Sequence, residues 1–174
     1  MDSLIVYSSL YNAIYDFLSG KQSPLEFQQI VFAEWEKLQS FRSACDNRLV
    51  QIVEMLRYNV SCVDCECYCH FCGGMHDYKN RPADIVRCIT ERVREFLSKF
   101  MAVFPRDQLS LETIQSLPEG FIDDYNQILE KVAQGEISLK EAHLSLCYWT
   151  AAVSDEVLAR ANFVITLAAL RHLK

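Results

Sequence analysis

Gly20-Lys21-Gln22-Ser23-Pro24-Leu25-Glu26 carries the local signals that open a helix, and the chain carries them twice. Gly135-Glu136-Ile137-Ser138-Leu139-Lys140-Glu141 repeats the pattern 115 residues later. In each copy a serine hydroxyl can accept from the backbone N–H three residues on. The glutamate there can reach back to the serine N–H, which makes a capping box. Pro24 adds the residue favoured at a first helical position. Around these boxes other pairs recur at an offset of 114 or 115 residues. Tyr11-Asn12-x-Ile14 matches Tyr125-Asn126-x-Ile128, Trp35 matches Trp149, and Leu56-Arg57 matches Leu170-Arg171.

Helical spacing fills the rest of the chain. The helix opened at Ser23 is expected to run to about Gln39. Asp46 can cap another, with Leu49, Ile52, Val53, Leu56 and Val60 on one face. Ile85, Val86, Ile89, Val93, Phe96, Leu97 and Phe100 form an apolar stripe from Ala83 to the breaker Pro105. A short helical segment near Leu111–Ser116, a helix over about Phe121–Ala133, and a last one opened by Ser154 with Asp155 and Glu156 in its first turn complete the set. The chain of 174 residues has only five glycines and four prolines. The predicted fold is all-α: two similar three-helix units joined by a Cys-rich loop and a basic helix, with no sheet beyond a small ribbon near the cysteines. The expected segments are 1–60, 61–82, 83–104 and 105–174.

Apolar residues make up 51% of the chain, a globular composition. Met1 to Leu10 lacks the basic region and long apolar core of a secretion signal. No charge-free apolar window is long enough for a membrane span. Eight cysteines without such a signal point to a reducing compartment, where clustered cysteines serve as thiols or metal ligands.

Five of the eight fall in Cys62-Val63-Asp64-Cys65-Glu66-Cys67-Tyr68-Cys69-His70-Phe71-Cys72, with His76 four residues on. A C-x2-C pair can place two thiolates on one ion, and two pairs complete a tetrahedral zinc site. The expected ligands are therefore Cys62, Cys65, Cys69 and Cys72, or a set such as Cys62, Cys65, Cys72 and His76. Such a zinc would be structural. The pairs are too close together for a RING-like ligase. Cys45, Cys88 and Cys147 stand apart in apolar surroundings and read as small buried side chains.

The net charge of −6 argues against bulk attraction to nucleic acid, but its distribution is uneven. Residues 79–106 hold seven basic groups against three acidic ones, a surplus of four, so the remainder carries −10. Arg87 and Arg94 share one face of the expected helix, and Arg92 and Lys99 a neighbouring one. With Lys79 and Arg81 they could bind RNA phosphates, and Arg57 and Arg171, equivalent in the two repeats, are secondary candidates. The competing reading is a solvated face in which Glu91 and Glu95 pair with arginines or Lys99 three or four residues away. No Walker, nucleophile-elbow, metalloprotease or dinucleotide motif appears, so the chain reads as a non-enzyme. His143 and Cys147 lie four apart on a helix, a spacing that suits a buried face better than a nucleophile pair. The aromatic stripe Tyr7, Tyr11, Phe17 and Phe27 reads as core or subunit interface.

One further pattern covers residues 104–150: Phe104-Pro105-Arg106, then Leu117-Pro118-x-Gly120-Phe121-x-x-Asp124-Tyr125-Asn126, then Gly135-x-Ile137-Ser138 and Tyr148-Trp149. It resembles the closterovirus family of small suppressors of RNA silencing. The resemblance implies an all-helical RNA-binding viral protein in the cytoplasm of the infected host cell. It implies a homo-oligomer, ring-like with a basic inner wall, that sequesters RNA, including double-stranded small RNA. The Cys-rich loop has no counterpart in that family pattern. The alternative from the residues themselves is a zinc-stabilised helical adaptor that binds a protein and has no RNA affinity.

Overall fold

In the computed structural model, which describes residues 2–45, 47–61, 63, 68–69, 73–103, 111 and 114–173, both capping boxes form. Glu26 N donates to Ser23 Oγ at 3.3 Å and Ser23 N to Glu26 Oε2 at 2.8 Å. Glu141 N donates to Ser138 Oγ at 3.2 Å and Ser138 N to Glu141 Oε2 at 2.7 Å. Both serines sit at φ −73°, ψ 158°. Gly20 and Gly135, three residues earlier, hold φ of 76° and 73°. The two copies of the pattern therefore fold alike.

The helices are α1 (Asp2–Leu18), α2 (Pro24–Ser40), α3 (Asn47–Val60), α4 (Pro82–Val103), α5 (Phe121–Gln134), α6 (Leu139–Leu146) and α7 (Asp155–His172). The strands β1 (Tyr68–Cys69) and β2 (Gly74–Met75) pair antiparallel, Tyr68 opposite Met75 and Cys69 opposite Gly74. The fold is all-α, and this ribbon is the only sheet among the described residues. Trp35 lies within α2, whereas Trp149 lies in a single 3-10 turn, Cys147–Trp149, after the shorter α6.

Two units divide the chain, and the division does not follow the expected segments. One unit holds residues 16–104 without interruption. The other joins residues 1–15 to 105–174. The expected Asp46 cap lies outside the described residues, as does Pro105. Of the expected segment near Leu111–Ser116, residues 115 and 116 form a turn, with Ser116 at φ 69°.

In the unit of residues 16–104, α3 packs against both α2 and α4. Phe27, Val31 and Leu38 of α2 are buried, with Val50, Val53, Leu56 and Val60 of α3 and Ile85, Ile89, Val93 and Phe96 of α4. Phe17 stacks on Phe27 with centroids 4.7 Å apart. Val86, expected in the α4 stripe, is exposed. The side chains of Leu49 and Phe100 lie outside the described set.

In the other unit α7 packs on α5 and α6. Phe121, Tyr125 and Val132 of α5 meet Ala142 and Leu146 of α6 and Ala161 and Ile165 of α7 in one cluster. Burial pushes the Tyr125 hydroxyl up to about 12. Tyr11 meets Phe163 edge-on at 5.1 Å, and Thr166 Oγ1 lies 3.0 Å from Asn12 Oδ1. Tyr7, Tyr11, Phe17 and Phe27 are all buried, as a core stripe requires.

Candidate metal centre and the charged helix beside it

The loop between α3 and α4 is fixed at both ends. At its start, the last carbonyls of α3 need donors, as at any helix C-terminus. Gln28 Nε2 donates to Val60 O at 2.7 Å and to Ser61 O at 3.0 Å. Arg92 Nη1, reaching across from α4, donates to Asn59 O at 2.8 Å. A cation there also opposes the negative end of the helix dipole. Val63 follows and is fully buried.

At the far end, Asp77 Oδ1 accepts from Asn80 N at 3.1 Å, a side-chain-closed turn. Hydrogen bonds from Asn80 hold the Asp77 carboxyl below its usual range. Arg81 then grips Asp84 in the first turn of α4, with Nε 2.9 Å from Oδ2 and Nη2 2.8 Å from the same oxygen. Its guanidinium lies so close to Gly74 that a Cβ there would come within 2.7 Å of Nη1. That position of β2 therefore needs glycine, or a displaced arginine.

Between these anchors the ribbon carries Cys69 inward, and the residue after β2 is His76, fully buried. Both meet Cys88, on the inner face of α4. Cys69 Sγ and Cys88 Sγ are 3.9 Å apart, and His76 Nε2 is 3.5 Å from Cys88 Sγ. The three potential ligand atoms lie within 4.8 Å of one another, and all three residues are buried. This cluster could hold a metal ion. Arg92, one turn after Cys88, points its second amino group at Cys69 Sγ, 2.7 Å away.

Of the ligands expected from the sequence, Cys69 and His76 converge here. Cys62, Cys65 and Cys72 lie outside the described residues. Cys88 was expected to be only a small buried side chain. It is buried, but it faces a thiol and an imidazole. Cys147 was expected buried and is exposed, because it falls in the 3-10 turn after α6 rather than on that helix's inner face. Cys45 is half-buried. His143 Nε2 lies 3.3 Å from Thr166 Oγ1.

The expected phosphate-binding cations take several environments. Arg92 turns inward to the cluster. Arg87 pairs with Asp84 at 3.5 Å, its side chain two-thirds exposed. Lys99 pairs with Glu95 at 2.6 Å. Arg94 is exposed and makes no ion pair among the described residues. Lys79 and Arg81 are exposed. Arg57 lies over the Phe32 ring at 5.3 Å, and Arg171 is exposed in the last turn of α7, in the other unit.

The chain matches no protein-family model, no curated protein and no solved structure.

Proposed function

We propose that this is a zinc-stabilised helical RNA-binding protein, a viral suppressor of host RNA silencing that acts in the cytoplasm of the infected cell. The observation that carries the RNA reading is the outer face of the loop and α4. Lys79, Arg81, Arg87, Arg94 and Lys99 are all exposed there, against three carboxylates, Asp84, Glu91 and Glu95. Exposed guanidinium and ammonium groups that are not buried in pairs can meet phosphates without reading sequence. One such helix is weak at physiological salt, so a homo-oligomer, ring-like in the family this chain resembles, multiplies the surface. Gel-shift with duplex RNA at two salt concentrations tests it. The double variant R87Q/R94Q should weaken binding to all duplex sequences alike and lower the log–log salt slope by about 2. Unchanged binding by that variant removes α4 from the interface.

Two thiols and an imidazole are a donor set that suits zinc, which supports this reading. Zinc bonds of about 2.3 Å to sulfur and about 2.0 Å to nitrogen at tetrahedral angles set S···S near 3.8 Å and S···N near 3.5 Å. Two of the three observed separations are 3.9 Å and 3.5 Å, and all three lie within 4.8 Å. Its role is to close the loop onto α4, a structural task. Elemental analysis of chelator-free protein should find about one zinc per chain.

A second reading, a zinc-stabilised protein-interaction adaptor without RNA affinity, is favoured by one observation. Arg81, Arg87 and Lys99 already have carboxylate partners within the same helix segment. Zinc-dependent folding without any salt-sensitive RNA affinity would select it.

A further inference from the structure

Between α5 and the turn that follows α6 lies a cavity of about 400 Å³, wholly within the unit of residues 1–15 and 105–174. Cavities that take small ligands begin at about 300 Å³. Its α5 wall is formed by Asp124, Gln127, Ile128 and Lys131. These positions are i, i+3, i+4 and i+7, one face of a helix. At a rise of 1.5 Å per residue, Asp124 and Lys131 stand about 10 Å apart along the axis. The facing wall is aromatic, with Tyr148 and Trp149 of the 3-10 turn.

The two rings are held differently. Trp149 is fixed: its Nε1 donates to Asp124 Oδ2 at 3.2 Å, and Phe121 meets it edge-on with centroids 5.4 Å apart. Tyr148 is 90% exposed, more than any other large apolar side chain among the described residues. That much bare ring beside a cavity marks a contact surface rather than a packing position. Among the described residues, Asp124 Oδ1 accepts no hydrogen bond and Lys131 makes no ion pair. The cavity therefore has an acceptor at one end, aromatic faces beside it and a cation at the other end. A simple cation would suit Asp124 and the rings but meet Lys131. A simple anion would suit Lys131 but meet Asp124. The matching ligand is a flat ring with a donor on one edge and an anionic group about 10 Å from that donor along the α5 axis.

We infer that this cavity takes an adenine or cytosine nucleotide, free or within an unpaired strand. The base stacks on Tyr148 and Trp149, its exocyclic amino group donates to Asp124 Oδ1, and its phosphate lies at Lys131. Uracil presents a carbonyl where these bases present the amino group, and the carboxylate repels it. The site lies in the other unit from α4 and does not rest on the duplex-RNA reading. With one phosphate contact, its salt dependence is slight.

Trp149 fluorescence tests it on the full chain. W35F leaves Trp149 as the only tryptophan of the two in the sequence. Titration with AMP should quench it, and UMP should bind roughly 5-fold more weakly or worse. Y148A should weaken AMP binding roughly 5- to 150-fold, the range of one lost stacking contact. D124N keeps an acceptor for the indole but adds an amide donor, so the preference should move toward UMP. K131Q should weaken AMP without changing the binding of adenosine, which has no phosphate. A short oligoadenylate that quenches at lower concentration than AMP assigns the strand as the ligand, and the reverse assigns the free nucleotide. No quenching by AMP, equal binding of AMP and UMP, or parental AMP affinity in Y148A overturns the inference. So does quenching by tetramethylammonium in place of AMP, which would make this a cation site. Far-UV circular dichroism of each variant separates these outcomes from loss of the helices. Duplex binding through α4 is read by gel-shift and this site by Trp149, so either can fail alone.

Discussion

Gly20 and Gly135 occupy equivalent places ahead of the two capping boxes, both left-handed, yet their surroundings differ. A Cβ at Gly20 would meet nothing within 4 Å, whereas one at Gly135 would come within 2.3 Å of His172 Nε2. Gly20→Ala is expected to cost only the left-handed conformation, about 1–2 kcal/mol. Gly135→Ala should cost more, and the excess should vanish in an H172A background, because only an exposed ring end has to move. Denaturant midpoints of the parent, G20A, G135A, H172A and G135A/H172A check this. The glutamates of the boxes give a pH dependence. Backbone and side-chain hydrogen bonds from Ser23 and Ser138 hold Glu26 and Glu141 below the ordinary 4.5. A folded value below the unfolded one stabilises above the unfolded value, and that contribution is lost as pH falls through the folded one. E26Q/E141Q keeps a side chain that can cap but no titration, so its melting temperature should fall less steeply than the parent's between about pH 5 and 3. The boxes were legible because every partner lies within three residues. Cys88 was not, since its partners Cys69 and His76 are 19 and 12 residues away. The available signal was Arg92. It recurs at helical spacing with the buried Ile85, Cys88, Ile89 and Phe96, and a cation on a buried stripe demands an electron-rich partner.

At the scale of the element, α4 has two jobs on two faces. Its inner stripe supports the core, and its outer face carries the cations. Ile89 is fully buried on the inner face. Ile89→Ala should cost about 2–5 kcal/mol by the lost transfer energy and the cavity left behind. R87Q/R94Q on the outer face should change stability by less than about 0.5 kcal/mol, which calorimetry on the two variants would distinguish. The helix as an element was readable from its apolar periodicity and its proline-bounded ends. How its cations divide was not. Whether an arginine turns outward or across to another helix's carbonyls depends on the position of α3, and no spacing within α4 encodes that.

The whole molecule divides into a contiguous unit and one assembled from both ends of the chain. The Cys69–His76–Cys88 cluster lies wholly in the contiguous unit, since residues 69, 76 and 88 all fall within 16–104. If the cluster holds zinc as proposed, chelation should therefore raise amide hydrogen exchange in β1, β2 and the start of α4. Exchange in α5 and α7 should stay as it was, read residue by residue in mass-resolved peptides. Equal loss of protection in both units would mean that the metal supports the entire chain. The internal repeat made three-helix units starting near residues 1 and 105 look natural. It could not reveal that Tyr11 and Asn12 find Phe163 and Thr166, because those pairings join segments about 150 residues apart. That long-range closure has a temporal side. As the polypeptide leaves the ribosome, residues 16–104 can complete their packing as soon as they emerge. The first fifteen residues have no such option. They must wait, already synthesised, until α7 has emerged, and for that interval the apolar side chains of Leu10, Tyr11 and Ile14 are a surface for a chaperone to cover.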